Sequence, residues 1–62
     1  MEFDVCIVCN EGTVRKYYDK CLITFCGDVL NIYYDNLEEP YAYFLTHEVN
    51  SISINTTVHS NN

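Results

Sequence analysis

The residues best equipped for chemistry in this chain are four cysteines, two histidines, and carboxylates set among tyrosines. The cysteines are Cys6, Cys9, Cys21 and Cys26: a C-x2-C pair, eleven residues, then a C-x4-C pair. Four thiolates around a tetrahedral zinc would staple a domain of this size. Two features weigh against that. The second pair has four intervening residues where a zinc ribbon has two. Cys6 and Cys9 also have opposite parity, so a regular strand turns them to opposite faces. Free cysteine often serves as a small buried hydrophobe. The reading is therefore metal-free and without cofactor, with zinc on Cys6, Cys9, Cys21 and Cys26 as the alternative. A redox C-x-x-C uses a helix N-terminus to lower its thiol pKa, and this one lies in a run that reads as strand.

The histidines are His47, beside Glu48, and His59. A Cys–His nucleophile pair is formally available, yet no pattern brings the two types together and no oxyanion-stabilising group is evident. The chain is read as a non-enzyme.

The carboxylates are unevenly placed. Residues 1–20 hold four, against Arg15, Lys16 and Lys20. Residues 21–62 hold five (Asp28, Asp35, Glu38, Glu39 and Glu48) with no lysine or arginine, and the whole chain carries −6. That field repels phosphate, so direct nucleic-acid binding is disfavoured, and it attracts basic protein surfaces. The competing account is that the charge only keeps the protein in solution. Asp35, Glu38 and Glu39 share one loop with Tyr41 and Tyr43 close behind, and Glu48 follows in a later turn. These six form the expected partner-binding set, with carboxylates steering and aromatic rings anchoring. Tyr17–Tyr18 and Tyr33–Tyr34 are adjacent pairs, so in a strand one ring of each enters the core and the other reaches the surface. Arg15, Lys16 and Lys20 read as a solvated strand face, or as a contact for an acidic patch on a second copy.

The elements that must position these groups are strands. Phe3, Val5 and Ile7 alternate with their neighbours at period two. Asn10-Glu11-Gly12 supplies turn chemistry, and Thr13 to Tyr18 returns as a second strand. The strongest local signal is Cys21–Cys26, then Gly27-Asp28, then Val29–Tyr34: a two-residue hairpin. Its register places Phe25 opposite Leu30, Thr24 opposite Asn31 and Ile23 opposite Ile32. One face then collects Ile23, Phe25, Leu30, Ile32 and Tyr34, and the other carries Thr24 and Asn31. After a loop at 35–40, Tyr41–Thr46 is aromatic-rich and reads as a strand. A short helix within 36–48 is the alternative, since Asn36 and Glu39 resemble a capping box. Ser51–Ile54 alternates as the last strand.

The expected fold is all-β: an antiparallel meander of five or six short strands, a curled sheet or small barrel. One domain covers 1–58, and 59–62 is a polar tail. A 62-residue chain buries only about 60% of its unfolded surface, so a homodimer or a bound partner is expected to complete it. Met1-Glu2-Phe3-Asp4 starts acidic with no basic n-region, and no apolar run approaches the roughly 18 residues of a membrane span, so neither secretion nor insertion is expected. The expected place is the cytoplasm, with reduced thiols. There the Asn55-Thr56-Thr57 glycosylation triplet carries no meaning.

Small size, acidity and tyrosine content fit an interaction protein that plugs a basic surface of a larger one. In these bulk traits the chain is similar to small acidic inhibitors of phages and mobile elements, including anti-CRISPR and nucleic-acid-mimic proteins. Two alternatives from other classes stand beside it: a zinc-ribbon-like structural module and a small-ligand-binding β-barrel.

Overall fold

A computed structural model of the protein describes residues 1–58. The tail read at 59–62, His59 included, lies outside the described residues. The alternating segments build five strands: β1 (Phe3–Cys9), β2 (Val14–Cys26), β3 (Val29–Tyr33), β4 (Ala42–Leu45) and β5 (Ser51–Thr56). All neighbours are antiparallel and the sheet order is β4-β3-β2-β1-β5. The chain thus forms the small all-β fold expected from its sequence. It departs from a simple meander at the end, where β5 crosses over to pair with β1. Among the described residues no helix is long and apolar enough to cross a membrane.

The two segments read as separate strands, Thr13–Tyr18 and Cys21–Cys26, are one thirteen-residue strand. A β-bulge joins them. Phe3 pairs with Cys21 and Val5 with Tyr18, so Asp19 and Lys20 together oppose Asp4. The extra residue switches the parity of β2. Tyr18 and Cys21 consequently face the same side, and both halves of β2 feed one core. Lys20 takes the left-handed conformation this requires (φ 55°), and its N–H is held by Asp4 Oδ1 at 3.0 Å.

The sheet curls onto itself. Only residues 46–50 lead from edge strand β4 to edge strand β5, and Thr46–Glu48 is a compact 3₁₀ turn. Five flat strands would hold those edges about 19 Å apart at the usual ~4.8 Å spacing. A 3₁₀ turn rises only about 2 Å per residue, so curling narrows the gap while the sheet stays open, with β4 and β5 unpaired to each other. It also brings Tyr18 of β2 against Phe44 of β4, with ring centroids 5.9 Å apart, although β3 lies between their strands. The concave side holds the core: Val5, Ile7, Cys21, Leu30 and Ile32, flanked by half-buried Phe3, Ile23, Phe44, Ile52 and Ile54.

The β2–β3 hairpin has the register read from the sequence: Phe25 opposite Leu30, Thr24 opposite Asn31 and Ile23 opposite Ile32. Gly27 alone of the two turn residues has positive φ (59°), as a type II′ turn requires. Two positions depart from the expected faces. Phe25 is 57% exposed because the hairpin tip extends past the core. Tyr33, on the side expected to be polar, is only 8% exposed, and its hydroxyl shares a 3.2 Å hydrogen bond with Thr24. The helical alternative within 36–48 is replaced by loop, strand β4 and the single 3₁₀ turn. Asn36 does not cap a helix: its Oδ1 accepts the N–H of Glu38 (2.9 Å), closing a local turn.

A candidate cation-binding cleft beside a row of aromatic rings

Between β3 and β4 the chain runs through an eight-residue loop, 34–41. Its far end is anchored where the Tyr41 N–H donates to the Ile32 carbonyl (2.6 Å), which starts the β3–β4 ladder. Pro40 has no N–H to lose to the sheet edge just before that point. The loop encloses an open cleft of about 320 Å³, walled by Tyr34, Asp35, Glu38, Glu39 and Tyr41.

The two tyrosines at the ends of the loop meet edge to face. Their centroids are 4.9 Å apart and their planes stand at 84°. Tyr41 also meets Tyr18 (6.2 Å, 73°), and Tyr18 meets Phe44. The result is a row of rings, Tyr34–Tyr41–Tyr18–Phe44, drawn from β2, the loop and β4. Such contacts are worth about 0.5–1.5 kcal/mol each beyond area burial when well packed. At the far end of the row the ammonium of Lys16 lies 5.7 Å from the centre of the Phe44 ring. Tyr41 is 69% exposed and Tyr34 40%, so ring surface remains open at the cleft end.

Burial raises the Tyr18 and Tyr34 phenols above their ordinary value. For Tyr18 the neighbouring Tyr41 and Cys9 add to this; for Tyr34 the nearby Cys21, Tyr41, Asp19 and Tyr18 do. Both rings therefore stay neutral donors in the physiological range. Among the described residues the cleft's carboxylates form no ion pair with a lysine or arginine.

Of the six residues expected to meet a partner, the fold gathers Asp35, Glu38, Glu39 and Tyr41 in this cleft. It places the other two elsewhere. Tyr43 pairs with Asn31 and lies on the opposite face of β4 from Phe44. Glu48 sits in the 3₁₀ turn, 3.9 Å from His47 and well exposed. Tyr18, Tyr34 and Phe44 join the site without having been singled out for it, and so does Lys16. A signal for Tyr34 is present in the sequence, where its parity matches that of Leu30 and Ile32, although it falls one residue past the end of β3.

The cysteines are dispersed and all are free thiols. Cys6 pairs with Tyr17 and Ser53 on the convex face, while Cys9 faces the core side opposite Val14. Cys21 is fully buried and its thiol donates to the Phe3 carbonyl at 3.3 Å. Burial pushes that thiol's pKa up. Cys26 is exposed at the hairpin tip. Among the described residues no three histidine, cysteine, aspartate or glutamate side chains group to hold a metal ion.

Fold and site together describe a small open β-sheet domain with an acidic, tyrosine-walled cleft on one loop. Comparison with protein-family models, with curated proteins and with solved structures finds no match.

Proposed function

We propose that this chain is a protein-binding module that acts by occupying a basic surface of a larger protein, one that handles nucleic acid. It works by binding and not by catalysis, in the cytoplasm, where its four thiols stay reduced. The observation that carries this reading is the cleft: Asp35, Glu38 and Glu39 converge beside Tyr34 and Tyr41 on one loop. Carboxylates there would stand in for nucleic-acid phosphates at a basic groove and steer a basic partner into contact. The rings supply desolvated anchors that charge alone lacks. The chain's three basic side chains all lie on β2, and residues 21–62 hold five carboxylates with no lysine or arginine among them. In size and acidity alone the chain is similar to small inhibitors from phages and other mobile elements, and that is the class of role proposed for it.

The partner is found by affinity capture from the native host with mass spectrometry. The test is the Glu38→Lys/Glu39→Lys double variant, with folding checked by circular dichroism. Binding to the captured partner is expected to weaken, mainly through a slower association rate, and the difference should shrink at high salt. Unchanged affinity at low salt would refute the reading. We further propose a two-fold dimer through the exposed strand edges of β4 or β5. Sedimentation at micromolar concentration showing only monomer would refute that.

A further inference from the structure

Three features of the loop 34–41 cleft narrow what it can hold. The first is size. At about 320 Å³ it sits at the bottom of the range of ligand pockets, roughly 300–1,000 Å³, so it suits one side chain better than a larger ligand. The second is sign. Three carboxylates share its wall, which excludes anions and favours a cation. The third is the aromatic wall. Tyr34 and Tyr41 stand nearly perpendicular, and Tyr41 keeps most of its ring in the open. The electron-rich face of such a ring attracts a cation. The same row of rings already holds one: Lys16 lies over Phe44 at its other end.

We propose that the cleft is a receptor for a single arginine side chain of the partner, with the guanidinium stacked on Tyr41 and hydrogen-bonded to Glu38 or Glu39. This rests on the binding role proposed above and specifies what that surface reads. Arginine fits better than lysine for a geometric reason. Its planar guanidinium can lie flat on a ring while its in-plane N–H groups point outward to a carboxylate, and it is more weakly hydrated. A lysine ammonium is a compact, strongly hydrated point charge that gains little from a flat wall. The cleft is open on one side, so the backbone carrying the arginine stays outside.

The experiment needs no partner protein. N-acetyl-arginine amide, N-acetyl-lysine amide and tetramethylammonium chloride are titrated separately into the labelled full chain at matched ionic strength, and followed by NMR. Arginine amide is expected to shift the Tyr34 and Tyr41 ring signals and the Glu38 and Glu39 side-chain signals saturably, with a Kd on the order of millimolar. It should bind more tightly than either other probe. Tyr41→Ala should weaken it about two- to fivefold, the span of an exposed cation–π contact. Glu38→Gln/Glu39→Gln, which keeps side-chain shape, should weaken it further, while Tyr17→Ala on the convex face leaves it unchanged. Equal shifts from all three probes, or shifts spread evenly to Asp28 and Glu48, would overturn the proposal as mere charge screening. Tighter binding of tetramethylammonium would overturn the guanidinium assignment. The two readings fail separately. Absent arginine binding with partner affinity still sensitive to Glu38→Lys/Glu39→Lys removes only this inference. Specific arginine binding with partner affinity insensitive to that variant removes the proposed function and the partner as the source of the arginine, and leaves only the arginine selectivity of the cleft.

Discussion

Replacing Asp4 should unfasten the fold at the point where its two halves are joined. Asp4 Oδ1 accepts the Lys20 N–H across the bulge (3.0 Å) and the Thr57 hydroxyl just beyond β5 (2.7 Å). One carboxylate oxygen therefore ties β1 both to the kink in β2 and to the end of the chain's last strand. The Lys20 bond is exposed and is worth about 0.5–1.5 kcal/mol, whereas the partly buried bond from Thr57 to a charged acceptor is worth about 1.5–3 kcal/mol. Asp4→Ala also leaves the Thr57 hydroxyl, 7% exposed, without that acceptor. Contacts sharing one atom do not add fully, so a loss of about 2–3 kcal/mol is expected. A core of this size supplies roughly 3–5 kcal/mol in all, so the variant should sit near the edge of stability. For a domain of 60–100 residues each kcal/mol moves Tm by about 4–8 °C, which predicts a fall of roughly 10–20 °C. Urea and thermal unfolding followed by circular dichroism give the numbers. Asp4→Asn, which retains an acceptor oxygen, should lose distinctly less. In a double-mutant cycle with Thr57→Val the two changes should couple by about 1 kcal/mol or more. A loss under about 0.5 kcal/mol, or full additivity with Thr57→Val, would refute the assignment of Asp4 as the clasp.

Lys20→Gly should raise the urea midpoint. A left-handed non-glycine residue costs about 1–2 kcal/mol, and the greater backbone entropy that glycine loses on folding offsets about 0.5–1 kcal/mol of that relief; a lower midpoint would contradict the bulge geometry. Stability should fall at alkaline pH. The raised pKa values of Cys21, Tyr18 and Tyr34 favour their protonated forms in the folded state, so their contribution is complete below the ordinary values of 9.0 for the thiol and 10.0 for the phenols. It is lost as pH rises through the higher folded values, and a urea midpoint constant from pH 8 to 11 would count against it. Thiol labelling under native conditions should modify Cys26 first and leave Cys21 protected until unfolding, as their exposures require; rapid labelling of Cys21 would show that the core is not closed. Ile7→Val, at a fully buried position between β2 and β5, should cost about 0.5–1.5 kcal/mol by urea unfolding; no loss would mean that Ile7 is not packed.

Strand character and the β2–β3 hairpin are local properties, and they are legible residue by residue. Gly27 supplies the positive φ, the turn length sets which residues face each other, and Ile23 opposite Ile32 follows without reference to the rest of the chain. The crowding of carboxylates into 35–39 is likewise plain in the linear order. The bulge is half legible. Apolar parity shifts between Tyr18 and Cys21, but the left-handed residue is a lysine, so no glycine marks it, and the group that holds its amide lies sixteen residues away. What tertiary structure alone decided is which distant segments converge. The pairing of β5 with β1 joins residues about fifty positions apart, and it rests on Ile52 and Ile54 finding Ile7 and Val5 once the sheet has curled. The same curl draws Tyr18 to Tyr41 and Phe44, while Tyr43, one residue from Phe44, is turned to the opposite face by the alternation of the strand.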